Sequence, residues 1–310
     1  AGQCNVSIKP AALPCRFPRC RYRNKYGQNV TERGLFYRKE LIEKFYIEDW
    51  GDYQGFLGLE TAFFVQLLST IQSDIGVFGT LGEIGVAAGK SFVTLAMARR
   101  AAERLFVCDI FAGLGAPDIQ KDKVEVEADN AAMANLPMFL DTLEFAGIDS
   151  RHVIVHDGPS FDLSDSMLVT RGAAPFRLFH VDGGHFLEAT LHDLRVAACT
   201  LAPGGVIMLD DLNNGIFPGV QEAFHRFMLL DRPHLRPNLE PFLHKGRLYL
   251  ADRPFAKRYR DALRRNLPDK AFWDQQKFMY GAEVLIPTSM ANIDSSIRNI
   301  ISMEEEFFPW

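Results

Sequence analysis

The chain has 310 residues, 47% of them hydrophobic and 24% charged, a balance that fits a globular protein and excludes a disordered one. No apolar run is long enough to cross a bilayer, and the first residues lack the apolar centre of a secretory leader. A formal net charge of −5 gives nucleic acid no electrostatic footprint, so the expected partner is a small molecule, without nucleic acid or membrane.

Charge is uneven along the chain. Residues 1–34 carry seven Lys or Arg against one Glu, and read as a basic arm on an acidic body or as a contact for an anionic partner. Three cysteines (Cys4, Cys15, Cys20) lie in that arm, while Cys108 and Cys199 lie in apolar periodic segments. Their spacing suits no zinc set, so they are expected to be buried or free thiols in a reducing cytoplasm.

In chain order, residues 35–48 and Gly58–Ile71 have helical periodicity. FGTLGEIGV then reads as a strand and a glycine turn, followed by a helix over Ser91–Arg104 and a strand LFVCDIF. A polar loop at 112–127 precedes a helix over Asn130–Gly147 and the strand HVIVHDG. The strand FRLFHVDGG is next, then a helix stopped at Pro203-Gly204-Gly205, the strand GVIMLDD and a helix over Val220–Leu230. LEPFLHKGRLYLA forms a hairpin, and a helix over Ala256–Arg265, an apolar EVLIP and an aromatic tail close the chain. Alternating strands and helices predict an α/β doubly wound, mostly parallel sheet with an antiparallel terminal hairpin. Three parts are expected: a basic extension with a helix at 1–50, a central domain at 51–253, and a C-terminal extension at 254–310 packed on the core. The extensions are the segments through which a homo-oligomer would form.

The glycine turn GEIGVAAGKS decides the ligand. A triphosphate loop needs four residues between its first Gly and Gly-Lys-Ser, but Gly85 stands only three before Gly89, and Ile84 fills the earlier place. A dinucleotide fingerprint also fails, with one glycine of three. What remains is Glu83-x-Gly85-x-x-x-Gly89-x-Ser91, with an acid, Asp109, ending the next strand and HDGPS ending the one after. Lys90 is expected to be an exposed residue of the first helical turn. Further on, VDGGH and MLDDLNN place Asp182, His185, Asp210 and Asp211 at two later strand ends. Converging carboxylates repel unless a cation lies between them, and hard oxygen ligands suit Mg²⁺, Mn²⁺ or Ca²⁺.

In these motifs the chain resembles the class I S-adenosylmethionine (SAM) methyltransferases. From about residue 55 to 252 it is similar to the macrocin-type and methyltransferase 24 O-methyltransferases of bacterial natural-product biosynthesis, and more distantly to the catechol type. The resemblance implies a Rossmann-like fold and SAM as cofactor. It places Glu83, Gly85, Gly89 and Ser91 at the amino-acid end of SAM, Asp109 at the ribose, and Gly158 and Ser160 around the adenine, with Asp182 bordering the same ligand. It implies a divalent metal, Mg²⁺ in the first instance, on Asp182, Asp210 and Asp211. His185 stands where the catechol type has a lysine base, so His185 and Asp182 are the expected catalytic residues. The implied activity is methyl transfer to a hydroxyl of a sugar, glycoside or phenol-like metabolite. A metal-independent methyltransferase and a non-catalytic SAM-binding module remain open alternatives.

Overall fold

The computed structural model describes residues 42–111, 135–267, 271–272 and 277–288. The basic arm, the polar loop at 112–127 and the aromatic tail lie outside the described residues.

One sheet organises the fold. Its strands are β1 (Thr80–Ile84), β2 (Leu105–Asp109), β3 (Val153–Asp157), β4 (Phe176–Val181), β5 (Leu201–Leu209), β6 (Leu239–Lys245) and β7 (Arg247–Asp252). Their order is β3-β2-β1-β4-β5-β7-β6. The first five are parallel, and β7 runs antiparallel to both β5 and β6. Strand order reverses direction at β1, which opens a crevice above the carboxyl ends of β1 and β4. A separate two-stranded sheet pairs β8 (Lys277–Met279) with β9 (Ala282–Val284). The doubly wound α/β fold and its terminal hairpin are as the sequence predicts.

Helices α1 (Leu59–Asp74), α2 (Lys90–Met97), α3 (Leu136–Phe145) and α8 (Arg253–Asn266) cover one face, packing Phe64, Phe92, Phe139 and Tyr259 against Leu81, Leu178 and Met208. The other face carries α4 (Asp165–Thr170), α5 (Leu187–Thr200), α6 (Pro218–Arg226) and the short α7 (Arg232–Leu235). There Leu168, Leu194 and Phe224 meet Ile84, Phe179 and Val181. This pleated alternation of neighbouring residues between two cores is what a sheet buried on both sides requires.

Three boundaries differ from expectation. Helix α2 stops at Met97 instead of running to Arg104. The Arg100 amide donates to Glu103 Oε2 at 2.9 Å, and the same carboxylate is gripped by Arg177 through Nε (2.6 Å) and Nη2 (2.8 Å). Holding Glu103 there turns the backbone out of the helix. Arg177 is also the extra residue where β4 bulges against β1, since Thr80 faces Phe176 and Leu81 faces Leu178. Next, α5 ends at Thr200 and β5 begins at once with Leu201. Pro203-Gly204-Gly205 sits inside β5, where its register on β4 jumps from Phe176–Leu201 to Leu178–Val206, a bulge that accommodates a proline without a ladder donor. Last, α4 lies in a stretch the sequence reading left unassigned, capped by the Ser164 hydroxyl accepting from the Met167 amide at 3.2 Å.

Cys108 is a free, buried thiol, as expected. Cys199 is disulfide-bonded, which overturns the thiol reading at that position and removes it as support for a reducing compartment.

Candidate active site at the carboxyl edge of the sheet

The turn after β1 is built from left-handed backbone: Gly85 has φ +82°, Ala87 +44° and Gly89 +97°. At Gly85 a Cβ would lie 1.8 Å from the Asp182 carbonyl oxygen, so only glycine lets the ends of β1 and β4 approach this closely. The Asp182 amide donates to the Ile84 carbonyl at 2.9 Å, and the Asp210 amide to the Val181 carbonyl at 3.1 Å. These backbone bonds hold the ends of β1, β4 and β5 side by side, and the three carboxylates predicted to converge are brought to one edge.

Asp109 has a structural task that the sequence did not reveal. Its Oδ2 accepts from the amides of Val86 (2.7 Å) and Ala87 (3.0 Å), and its Oδ1 from Phe111 (3.2 Å). The carboxylate thus pins the strained glycine turn from the neighbouring strand. Gly158 stands next to it, its amide donating to the Asp109 carbonyl at 2.9 Å, and Ser160 opens a 3₁₀ turn two residues on. Glycine turn, Asp109 and the Gly158–Ser160 segment therefore form a continuous rim over β1, β2 and β3.

Glu83 is fully buried. Its Oε1 accepts from the Ser91 hydroxyl at 2.5 Å and from His180 Nδ1 at 2.7 Å, while Oε2 has no hydrogen-bond partner among the described residues. His180 links two sites, because Arg247 Nε donates to its Nε2 at 2.8 Å. A guanidinium can only donate, so Nε2 presents its lone pair and the proton of the ring is on Nδ1, facing Glu83. The signal available in sequence was a polar residue between two apolar ones, Phe179 and Val181, two places before Asp182 and level with Glu83 in the β1–β4 register.

Lys90 is buried, against the expectation of an exposed residue. Its Nζ lies 4.3 Å from the centre of the Trp50 ring, a cation–π contact, and Gly55 packs on its Cβ. Burial pulls its pKa below the usual lysine value.

At the acceptor side, His185 Nε2 lies 3.5 Å from Asp182 Oδ1 and 3.2 Å from Asp211 Oδ2. The His185 ring stacks on Phe217, centroids 4.1 Å apart, so its orientation is fixed from below. Asp211 takes the left-handed conformation, φ +56°, and its Oδ1 accepts from Asn214 Nδ2 at 3.1 Å. Asn213 turns instead to His244, 3.2 Å from Nε2. Asp182, His185 and Asp211 each offer one ligand atom within 4.8 Å of the others. Asp210 does not join them. Its Oδ1 accepts from the Asp211 amide at 2.9 Å, and its Oδ2 is paired with Arg247 Nη2. Burial first, then the Asp182 charge, pushes the Asp210 carboxyl up to about 6 against the pull of Arg247.

Residues 83–212 match the methyltransferase 24 family model, described as a methyltransferase domain. Among solved structures, the O-methyltransferase NovP aligns at 16% identity with a TM-score of 0.54, covering 70% of this chain and 98% of that one. CalS11, a calicheamicin methyltransferase, aligns at 18% identity with a TM-score of 0.49, covering 71% and 91%. At such identities the NovP likeness establishes a shared fold. No curated protein sequence matches the chain.

Proposed function

We infer, from the premise that residues 83–212 form a methyltransferase domain of the methyltransferase 24 type, that the chain transfers the methyl group of SAM to a hydroxyl of a small metabolite. The observation that carries this reading is the juxtaposition at one sheet edge of the Glu83–Asp109 rim and the Asp182–His185–Asp211 cluster, joined by the backbone bond from Asp182 to Ile84. A sulfonium donor on the rim would present its methyl group toward the cluster on the adjacent strand ends.

The rim suits the amino-acid end of SAM. Glu83 Oε2 is a buried acceptor awaiting a donor, and such an atom is costly to leave unserved; the ligand ammonium, directly or through one water, serves it. The first amides of α2 offer donors to the ligand carboxylate. Asp109 Oδ1, which accepts one amide, keeps a second lone pair for a ribose hydroxyl.

On the acceptor side, the neutral His185 imidazole takes the proton of the substrate hydroxyl. The O–CH₃ bond forms as the S–CH₃ bond breaks, S-adenosylhomocysteine leaves, and the imidazolium is balanced by Asp182 and Asp211. A positioned base of this kind contributes about 10²–10⁴ in rate. The oxygen and nitrogen donors of Asp182, His185 and Asp211 also fit a divalent cation, Mg²⁺ or Mn²⁺. Such a cation would lower the pKa of the hydroxyl, with His185 then a ligand and Asp182 Oδ2 the nearby acceptor for the proton. The three donor atoms within 4.8 Å favour keeping this second reading.

The substrate class we propose is a sugar, glycoside or phenol-like metabolite. The test is methyl transfer from labelled SAM onto a panel of glycosides and phenols, with and without EDTA followed by Mg²⁺. Transfer abolished by EDTA and restored by Mg²⁺ selects the cation reading; transfer indifferent to both selects the His185 base. No transfer to any member, with SAM bound, points to a non-catalytic module.

A further inference from the structure

A row of polar side chains crosses the sheet at its carboxyl edge, on the face covered by α1 and α2. The cross-strand register runs Glu83–His180, His180–Met208 and Met208–Tyr249. Because side chains alternate, Asp210 shares the face of Met208 and Arg247 that of Tyr249. The antiparallel pair Leu209–Leu248, continued by one residue, sets Arg247 opposite Asp210. The result is an unbroken chain of contacts: Ser91 to Glu83, Glu83 to His180, His180 to Arg247, Arg247 to Asp210.

Arg247 is the centre of this row. Its side chain is 7% exposed. One nitrogen serves His180 and another serves Asp210, which leaves the guanidinium 3.9 Å from Asp182 Oδ2 as well. A buried guanidinium held by a carboxylate and an imidazole is costly to displace, since removing either partner strands a charge away from water. A metal ion that took Asp210 Oδ2 as a ligand would have to do this, and Oδ1 is already engaged by the Asp211 amide.

We propose that Arg247 is the site's own cation for Asp210, so that Asp210 is a positioning residue and not a ligand of a divalent ion. Asp210 then serves to hold Arg247 against His180, and through it to keep Glu83 fixed beneath the donor rim. Asp182, His185 and Asp211 form the ligand set by themselves. This inference rests on reading that cluster as a cation site, but ion binding can be followed without any methyl transfer.

The experiment uses the full chain and Mn²⁺, followed by electron paramagnetic resonance, with thermal unfolding of each variant in parallel. Asp211→Asn, which removes a charged ligand, weakens Mn²⁺ binding by at least about tenfold more than Asp210→Asn does. Arg247→Met frees Asp210 and tightens Mn²⁺ binding, and adding Asp210→Asn to it cancels that gain. In the same pair the second substitution restores thermal stability, because it removes the carboxylate that Arg247→Met had stranded. The proposal is overturned if Asp210→Asn weakens Mn²⁺ binding as much as Asp211→Asn, or if the double variant is less stable than Arg247→Met. Should Arg247→Met not fold, the Asp210 and Asp211 variants decide between them in the wild-type background. If wild type binds no Mn²⁺, the proposed ligand set is overturned, and the thermal comparison then reports on the Arg247–Asp210 pair alone. Absence of transfer to every acceptor would refute the proposed function and leave these outcomes untouched.

Discussion

Replacing Asp109 by Ala tests whether the donor rim is held by the residue that the geometry names. The substitution removes the acceptor of two amides, Val86 at 2.7 Å and Ala87 at 3.0 Å, and a third at Phe111. Hydrogen bonds to a charged group are worth about 1.5–3 kcal/mol each. The turn they restrain holds Gly85, Ala87 and Gly89 left-handed, a conformation disfavoured for the alanine. A released turn relaxes and recovers part of the loss through water, so the rim must be rebuilt on binding at a cost of about 1.4–2.8 kcal/mol. That is about a 10- to 100-fold loss of affinity, with the direct ribose contact adding to it. Isothermal titration with SAM and S-adenosylhomocysteine measures it. Asp109→Asn retains one oxygen for the turn and falls between the alanine variant and wild type. Affinity within about twofold of wild type for Asp109→Ala would show that the turn holds its shape unaided and that Asp109 does not touch the ligand.

Three other perturbations separate site from scaffold. Arg177→Met leaves the buried Glu103 carboxylate with the more distant Arg100 side chain and two amides, and removes the guanidinium donors to Ser69, Gln72 and Ala98. The expected cost is about 3–5 kcal/mol, a fall in Tm of about 6–20 °C for a domain this size; an unchanged melting temperature would refute the network. Asp193 is fully buried, its carboxylate beside the Ser160 hydroxyl. Burial pushes it up to about 7, with the nearby Ser160 hydroxyl opposing. Because the folded state holds the proton more tightly than the unfolded one, the stabilisation is fully present below about pH 4 and is lost as pH rises toward 7, up to about 4 kcal/mol. Asp193→Asn should therefore gain on wild type in thermal stability between pH 5 and pH 8; a gap that does not vary with pH would sink the assignment. Finally, His185→Ala should lower kcat by about 10²-fold or more with SAM affinity unchanged, and equal turnover would make His185 a structural residue.

What could be read from the sequence was whatever is written locally. The short spacing of Gly85 and Gly89 excluded a triphosphate loop, and the structure gives a reason for Gly85, the Asp182 carbonyl against its α-carbon. Strand ends were legible because apolar runs stop at Glu83, Asp109, Asp182 and Asp210, and strand order then brought those ends together. What stayed hidden depends on partners distant in sequence. Lys90 looked exposed because nothing around it indicates that Trp50 and Gly55 fold over it. Glu103 ends α2 only because Arg177, 74 residues later, reaches it. Arg247 looks like a surface residue of a hairpin until register sets it beside Asp210. The role of His180 is not visible in sequence because the residues flanking it, Phe179 and Val181, are apolar, while its partners in space are a carboxylate and a guanidinium.

Residues 42–82, upstream of the family match, are tied into the core of the domain. Gln66 donates to the Thr94 carbonyl and to the Tyr46 hydroxyl, Gln72 to the Arg177 carbonyl, and Trp50 roofs Lys90. Excising residues 83–212 as a module, or grafting them onto another scaffold, would therefore open the floor of the sheet and leave Arg177 and Lys90 without the groups that shelter them. Among the described residues, the core that closes over the sheet draws on side chains from Ile42 through to the helix that seats Tyr259 on Gly204.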